Sequence, residues 1–143
     1  MIPAFAVGRT QILLYYLERL RRNGRIPHVP IVMDSPMAID ATEIFSRHAS
    51  DHRLDPRRCA EVCGVARIVR SAEESKRLDE SGEPMILISA SGMATGGRVL
   101  HHIEAFGGSH QNTLLFSGFQ AAGTRGRKLL EGAREVKIHG RWM

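Results

Sequence analysis

Short apolar runs alternate along this chain with segments of helical periodicity, and this alternation constrains the fold more than any other feature. The apolar runs at 28–33, 85–89, 112–117 and 135–139 are predicted to be strands. Within each run the residues do not alternate between apolar and polar, which is typical of parallel strands covered on both faces. We therefore expect an α/β fold: a Rossmann-like three-layer sandwich with a mostly parallel sheet of about five strands and helices on both faces.

Capping residues mark where the intervening helices begin. Apolar spacing predicts a first helix from Arg9 to Asn23, and Ser35 resembles an N-cap for a second helix that runs to about His48. Ser71 and Glu74 have the spacing of a capping box, which predicts a third helix. That third helix is expected at 72–80, and further helices at 96–106 and 124–131, whereas 49–68 should be short helix and loop.

Length and composition indicate one domain. The chain has 143 residues, 43% of them apolar, which is enough for a single core and places 1–143 in a single domain. No apolar run approaches the roughly 18 residues that a membrane helix needs, and no signal peptide is recognisable, so we expect a cytoplasmic protein without membrane contact. Residues 1–6 resemble the end of a strand, which suggests a fragment of a longer protein.

The glycine-rich segment Ser91–Gly97 is the strongest local motif. An apolar strand ends there in small residues and a helical pattern follows. Its glycines allow the backbone to approach a ligand closely, and the first N–H groups of a helix starting near Thr95 should be unpaired and directed outward. These features predict a phosphate site to which Arg98 adds positive charge, the alternative being a plain tight connection. Neither GxxxxGK[ST] nor GxGxxG occurs, so a nucleotide-binding fingerprint is missing.

The net charge and the positions of the histidines indicate less about function than the glycine-rich segment does. The formal net charge is +5, and basic residues predominate over 112–143, which favours an anionic partner. His101 and His102 are adjacent on a predicted helix and must point in different directions, so we expect one to be packed and the other solvated. His139 is expected at the surface or in an interface. The spacing of histidines and cysteines predicts no metal ligands.

Several segments together resemble a known family. They are 2–11, 33–38, 69–76, 89–100 and 116–120. In this order they resemble the β-CASP domain, which is inserted into metallo-β-lactamase-fold nucleases that process RNA. The resemblance is to bacterial and archaeal relatives of the cleavage and polyadenylation endonuclease and, more distantly, to RNase J.

The resemblance implies an RNA-binding part of a zinc-dependent ribonuclease. In that family two zinc ions activate water, and RNA lies in the cleft between the metallo-β-lactamase domain and the β-CASP domain. The zinc ligands of the HxHxDH type are missing from this sequence, and Lys137–Gly140 imitates a late histidine motif only superficially. The implied partners are RNA and the metallo-β-lactamase domain of the same parent chain, with a homodimer also considered. We assign no catalytic residue and no cofactor to the fragment, and expect it to be inactive alone, with two zinc ions in the parent protein.

The candidate site residues lie in loops that follow the strands, where ligands of open parallel sheets bind. For Asp34 the alternatives are contact with a ligand or capping of the next turn. The candidates for contact with RNA phosphate are Ser91, Gly92, Met93, Thr95, Gly96, Gly97, Arg98, Arg9 and Thr10, with Asp34, Ser35, Gln120 and Thr124 as weaker ones.

Two other functions are considered. The same glycine pattern suits a free-standing Rossmann-like domain that binds a nucleotide or small molecule. A structural or dimerisation module is the other possibility, which the basic composition does not exclude. Calorimetric titration with mononucleotides and with short RNA separates the nucleotide-binding domain from RNA binding. Salt dependence separates the dimerisation module, because phosphate contacts predict an affinity that falls with salt concentration, whereas an apolar interface would be nearly indifferent to salt.

Overall fold

A computed structural model describes residues 1–143 and contains six helices and six short strands. In chain order the elements are β1 (Ile2–Pro3), α1 (Arg9–Arg22), β2 (Ile31–Asp34), α2 (Pro36–Arg47), α3 (Pro56–Cys63), β3 (Arg67–Ile68), α4 (Ala72–Asp79), β4 (Ile86–Ser89), α5 (Val99–Phe106), α6 (Arg125–Leu130), β5 (Lys137–Ile138) and β6 (Arg141–Trp142). A short 3-10 helix occupies Ala49–Asp51. None of the helices combines the length and the apolar character that crossing a bilayer demands.

Four strands form one parallel sheet in the order β1-β4-β2-β3. In the central pair Val32 lies beside Leu87 and Asp34 beside Ser89. Because these strands are parallel, the loops after β1, β2 and β4 meet at one edge of the sheet. The predicted parallel sheet is confirmed, with four strands rather than about five.

Helices cover both faces of this sheet, as predicted. Ile31, Met33 and Ile88 pack on one face against side chains of α1, α2 and α3, including Leu14, Ile39 and Val62. Val32 and Leu87 point to the other face, where Leu78 of α4 and Phe106 of α5 cover them. The successive residues of each central strand are buried on opposite faces, which explains their unbroken apolar character.

Two of the sequence-predicted caps are present. Ser35 Oγ accepts a hydrogen bond from Ala38 N at 3.3 Å, and proline occupies the first turn of α2. Ser71 Oγ accepts from Glu74 N at 3.0 Å, while the Glu74 carboxylate accepts from Ser71 N at 3.2 Å. This reciprocal pair is the capping box, and α4 begins where it predicts.

In the last third of the chain one strand prediction is wrong, and another is confirmed as a strand but not as part of the parallel sheet. Residues 112–117 form no strand, although the Met1 amino group donates to Thr113 O at 2.7 Å and Leu115 N donates to Met1 O at 2.9 Å. Residues 135–139 do not join the sheet either, because the chain reverses at His139 and Gly140, and β5 pairs with β6 in a separate antiparallel hairpin. This hairpin packs Val136 and Ile138 on α5.

One strand lies in a region predicted as short helix and loop. The helix is α3, and the strand is the edge strand β3, which pairs with β2 through Arg67 and Ile68. Two residues are too few for any periodicity to reveal a strand.

Candidate functional site

The turn Ser91–Gly97 follows β4 and is closed by its own first side chain. Ser91 Oγ accepts hydrogen bonds from Thr95 N at 3.0 Å and from Gly96 N at 3.4 Å. Ser91 N in turn donates to Gly96 O at 3.2 Å. The serine therefore occupies the position that an anion would take on these two amides.

The helix after the turn begins later than predicted. α5 starts at Val99, whose N–H donates to Ala90 O at 3.2 Å, and Leu100 N donates to Gly97 O at 3.2 Å. The expectation of a helix start near Thr95 is thus wrong: the N–H groups of Thr95 and Gly96 pair with the Ser91 hydroxyl, and those of Val99 and Leu100 pair with carbonyl groups of the turn. The backbone N–H groups of Gly92, Met93, Gly97 and Arg98 make no hydrogen bond within the chain. Any contact of backbone amides with an anion here involves these four.

Glycine is required at two positions of the turn for steric reasons. A β-carbon on Gly92 would lie 2.9 Å from both the backbone N and a ring carbon of Phe5, so this glycine allows the turn to pack on the segment after β1. Gly97 has a φ of +77°, and a β-carbon there would lie 2.6 Å from Ala90 O.

Gly97→Ala is expected to lower the free energy of unfolding by about 1–3 kcal/mol, because alanine would be strained at positive φ and would collide with a carbonyl oxygen. Gly96→Ala is the matched control, since a β-carbon on Gly96 meets nothing within 4 Å. Denaturant titration of both variants measures the difference. Equal stability of the two would contradict the observed conformation of the turn.

Beside the turn, Asp34 is the centre of a buried polar cluster. Its side chain is fully buried, and its carboxylate accepts hydrogen bonds from Ser75 Oγ at 2.5 Å, His102 Nε2 at 2.8 Å and Arg98 Nη1 at 2.5 Å. His102 Nδ1 donates to Asp79 Oδ1 at 2.5 Å. Three elements, β2, α4 and α5 with its flanking residue Arg98, meet in this cluster.

The cluster contains three ion pairs: Arg98 with Asp34, and His102 with both Asp34 and Asp79. Burial alone would raise the pKa of Asp34, but hydrogen bonds from His102, Ser75 and Arg98 outweigh it and hold that pKa below its usual value. Burial alone would lower the pKa of His102, yet its bonds to Asp34 and Asp79 raise it. Because both ring nitrogens of His102 face carboxylates, which only accept hydrogen bonds, the ring is a charged imidazolium.

The cluster contradicts the idea that Asp34 caps a turn. Ser35 caps α2, whereas the Asp34 carboxylate faces inward. Arg98 donates to Val69 O at 3.3 Å and to Arg70 O at 2.8 Å in addition to Asp34. Its guanidinium thus joins the ends of β2 and β3 to the start of α5, and its contact with a phosphate stays a prediction.

Three candidate side chains outside the turn hold loops or a helix start in place. Thr10 is 1% exposed and its hydroxyl donates to Phe5 O at 2.8 Å. Gln120 is 3% exposed, and its Nε2 donates to Gly92 O at 3.0 Å, which fastens the last loop to the turn. Thr124 caps α6 by accepting from Arg127 N at 3.1 Å. Arg9 is exposed and has no carboxylate within ion-pair distance, so it is open to an external anion.

A basic cleft borders the turn on the side of α6 and the hairpin. Its volume is about 240 Å³. Arg125 forms part of its wall and donates to Lys137 O at 2.5 Å, and to Ala94 O and Thr95 O at 3.3 Å each. The residues that line the cleft are Thr95, Gly123, Thr124, Arg125, Lys128, Val136 and Lys137. We call this the basic cleft.

Three cations line the basic cleft and none of them has a carboxylate partner. Arg125, Lys128 and Lys137 take part in no ion pair with Asp or Glu, although the chain contains many such pairs elsewhere. Uncompensated positive charge at a concave surface attracts anions. The cleft therefore suits a phosphate group better than a neutral ligand.

Sequence reasoning missed several residues of the site. Ser75 and Asp79 are four apart on α4 and so share a helix face, but nothing local indicates that this face meets Asp34 and His102. The prediction that one of His101 and His102 is packed and the other solvated is confirmed, with His102 buried. The excess of basic residues over 112–143 was the available signal for the basic cleft.

The sequence is similar to a described family over most of its length. The family model of the Beta-Casp domain matches residues 10–129. Three relatives illustrate the similarity. Transcription termination factor FttA of Methanosarcina mazei is 35% identical over 148 residues, covering 99% of this chain and 23% of the relative. Ribonuclease TTHA0252 of Thermus thermophilus is 34% identical over 147 residues, which is 98% of this chain and 33% of the relative.

The third relative is an RNase J-like protein of Methanocaldococcus jannaschii. It is 36% identical over 141 residues, which is 96% of this chain and 32% of the relative. The chain thus spans only about a quarter to a third of the length of these relatives.

Proposed function

The chain belongs to the Beta-Casp family, and from that membership we propose that it is the RNA-binding part of a metal-dependent ribonuclease. In this proposal the chain holds the phosphate backbone of RNA while hydrolysis takes place on residues of a metallo-β-lactamase domain of the same parent protein. The chain alone is then catalytically inactive.

The basic cleft beside the turn is the single observation that carries the proposal. Phosphate contacts dominate the affinity of proteins for nucleic acids, and lysine and arginine make most of them. Lys128 and Lys137 line the cleft without any carboxylate partner, and Thr95 of the turn lies on the same wall. The cleft is large enough for a phosphate and its sugar. Because it is not enclosed by apolar side chains, it suits the sugar-phosphate backbone of RNA better than a base.

The turn supplies the second contact surface in this proposal. The N–H groups of Gly97 and Arg98 are adjacent, free of partners within the chain, and follow a strand of the parallel sheet. Backbone amides in such turns bind phosphate oxygen atoms. Arg9, exposed at the first residue of α1, is a further candidate, whereas Thr10, Asp34 and Ser35 contribute by holding the loops.

The pair of catalytic zinc ions that the family implies does not fit the residues of this chain. Its seven histidines include no HxHxDH segment, and Asp34 and His102, the most deeply buried acid and histidine, are satisfied by each other. We propose that the parent protein binds zinc elsewhere, and we assign no catalytic step to this fragment.

Binding of a short fluorescent single-stranded RNA, followed by anisotropy at several salt concentrations, tests the proposal. We expect affinity to fall with salt with a slope of about 0.7 per phosphate contacted. Tight saturable binding of mononucleotides without RNA affinity would favour a Rossmann-like nucleotide domain instead. Salt-independent self-association without RNA binding would favour a dimerisation module.

Lys128→Gln is expected to weaken RNA binding about fivefold, equivalent to about 1 kcal/mol, because a phosphate contact is removed. The salt slope should decrease by about 0.7. Lys76→Gln is the matched control, since Lys76 is an exposed lysine of α4 that does not line the basic cleft. Equal weakening by both substitutions would show that only net charge matters and would contradict binding in the cleft.

A further inference from the structure

Three potential metal ligands meet on the outer side of α5. His101 and Glu104 are three residues apart, so they share one face of this helix, and His139 approaches them from the loop between β5 and β6. One nitrogen of each histidine and one oxygen of the glutamate all lie within 4.8 Å of one another. His139 Nδ1 lies 3.0 Å from Glu104 Oε2, and His101 Nδ1 lies 3.8 Å from the same oxygen.

The conformation of the hairpin loop directs His139 toward the helix. His139 and Gly140 have φ values of +45° and +84°, which is the pattern of a two-residue type I′ turn. Asparagine and glycine are favoured in such turns, and a histidine in the first position lies in a region that most side chains avoid. Its ring centroid is 4.6 Å from that of His101, with an angle of 31° between the rings.

We propose that His101, Glu104 and His139 bind one divalent transition metal ion of the Zn²⁺ type. Two imidazole nitrogens and one carboxylate oxygen form a recurring zinc ligand set, with water completing the coordination. The three side chains are 60%, 30% and 45% exposed, so an ion and its water have access. Without an ion, a single carboxylate oxygen is left to serve two histidine rings.

The ion would connect two parts of the chain that are far apart in sequence. It would fasten the β5–β6 hairpin to α5 on the solvent side, where Val136 and Ile138 already pack on this helix from the core side. Because a ligand that binds only the folded state stabilises it, Zn²⁺ should raise the melting temperature. The inference does not depend on RNA binding.

A second group of potential metal ligands must be distinguished from this one in any test. Cys59 Sγ lies 3.6 Å from His52 Nε2 and 4.0 Å from Cys63 Sγ, so these thiols are competing metal ligands. Burial together with the nearby Cys59 raises the pKa of Cys63 to about 11, which disfavours the thiolate that a metal requires.

Calorimetric titration of the chelator-treated 143-residue chain with Zn²⁺ tests the proposal, together with melting curves with and without the ion. We expect one ion per chain and a rise in melting temperature that a chelator reverses. His139→Asn should lower the affinity at least about tenfold while leaving the metal-free melting temperature unchanged or higher, because asparagine suits the type I′ turn. His101→Gln should lower the affinity similarly.

Two control variants complete the design. The double variant Cys59→Ser and Cys63→Ser should bind Zn²⁺ as the unsubstituted 143-residue chain does. The same is expected of His110→Asn, a substitution on an exposed loop. Zn²⁺ binding that survives in His139→Asn, or that disappears in the cysteine variant, would overturn the proposal. Failure of the unsubstituted 143-residue chain to bind Zn²⁺ would overturn the proposal as well.

Discussion

Asp34→Ala is expected to lower the free energy of unfolding by about 3–5 kcal/mol, because it removes the acceptor shared by the buried His102 and the partly buried Arg98. The carboxylate is fully buried and is bonded to Ser75, His102 and Arg98. Removing it leaves the imidazolium and the guanidinium facing each other without the charge that holds them together. Denaturant titration followed by circular dichroism measures the loss.

Asp40→Ala is the matched control for this prediction. Asp40 lies on α2 with 68% of its side chain exposed, and its partner Arg70 Nη1 is 3.8 Å away. Exposed ion pairs of this kind contribute little, so the change should stay within about 0.5 kcal/mol. A double-mutant cycle with Arg98→Met adds a direct measure of coupling. Additive effects of the Asp34 and Arg98 substitutions would contradict a shared buried pair.

The stability of the folded chain is expected to fall as pH rises above neutrality, and His102 is the cause. The folded-state pKa of His102 is raised above its ordinary value of 6.5. Its contribution is therefore fully present below pH 6.5 and is lost as pH increases through the raised pKa. Asp34 acts in the opposite direction: its pKa is lowered from 3.8, so its contribution is present above that pH and is lost as pH falls.

His102→Gln should lower the free energy of unfolding by about 3 kcal/mol near pH 6, since two carboxylates lose their buried cation. It should also abolish most of the alkaline decline, because the titrating group is gone. His110→Gln, an exchange of an exposed histidine, should change neither quantity measurably. Melting curves over a range of pH values give both results, and an unchanged alkaline decline in His102→Gln would contradict the assignment.

Local sequence signals predicted those parts of the fold that depend on local chemistry. Ser35 and Ser71 cap their helices by accepting hydrogen bonds from residues three positions later, so a few consecutive residues of sequence are enough to predict them. The same holds for the apolar spacing of α1. By contrast, 112–117 has the composition of a strand but makes too few backbone bonds beside β1, which depends on where distant residues lie.

The candidate site was predictable in outline and not in detail. The glycine pattern located the turn after β4, but the Ser91 side chain decides which amides are free, and a hydroxyl of this kind can bond in many ways. The pairing of His102 with Asp34 spans 68 positions, so no periodicity reports it. Charge composition indicated the basic end of the chain without showing that its cations line one cleft.

Arg98 and Arg125 flank the same turn but differ in what holds them. Arg98 is paired with a carboxylate, which weakens its long-range field, whereas Arg125 is bound only to the carbonyl oxygens of Ala94, Thr95 and Lys137. Neutral acceptors fix a guanidinium in position and leave its field intact. Arg125 is therefore a stationary source of positive potential, which acts on an approaching polyanion before contact and so contributes to the rate of association as well as to the lifetime of the complex.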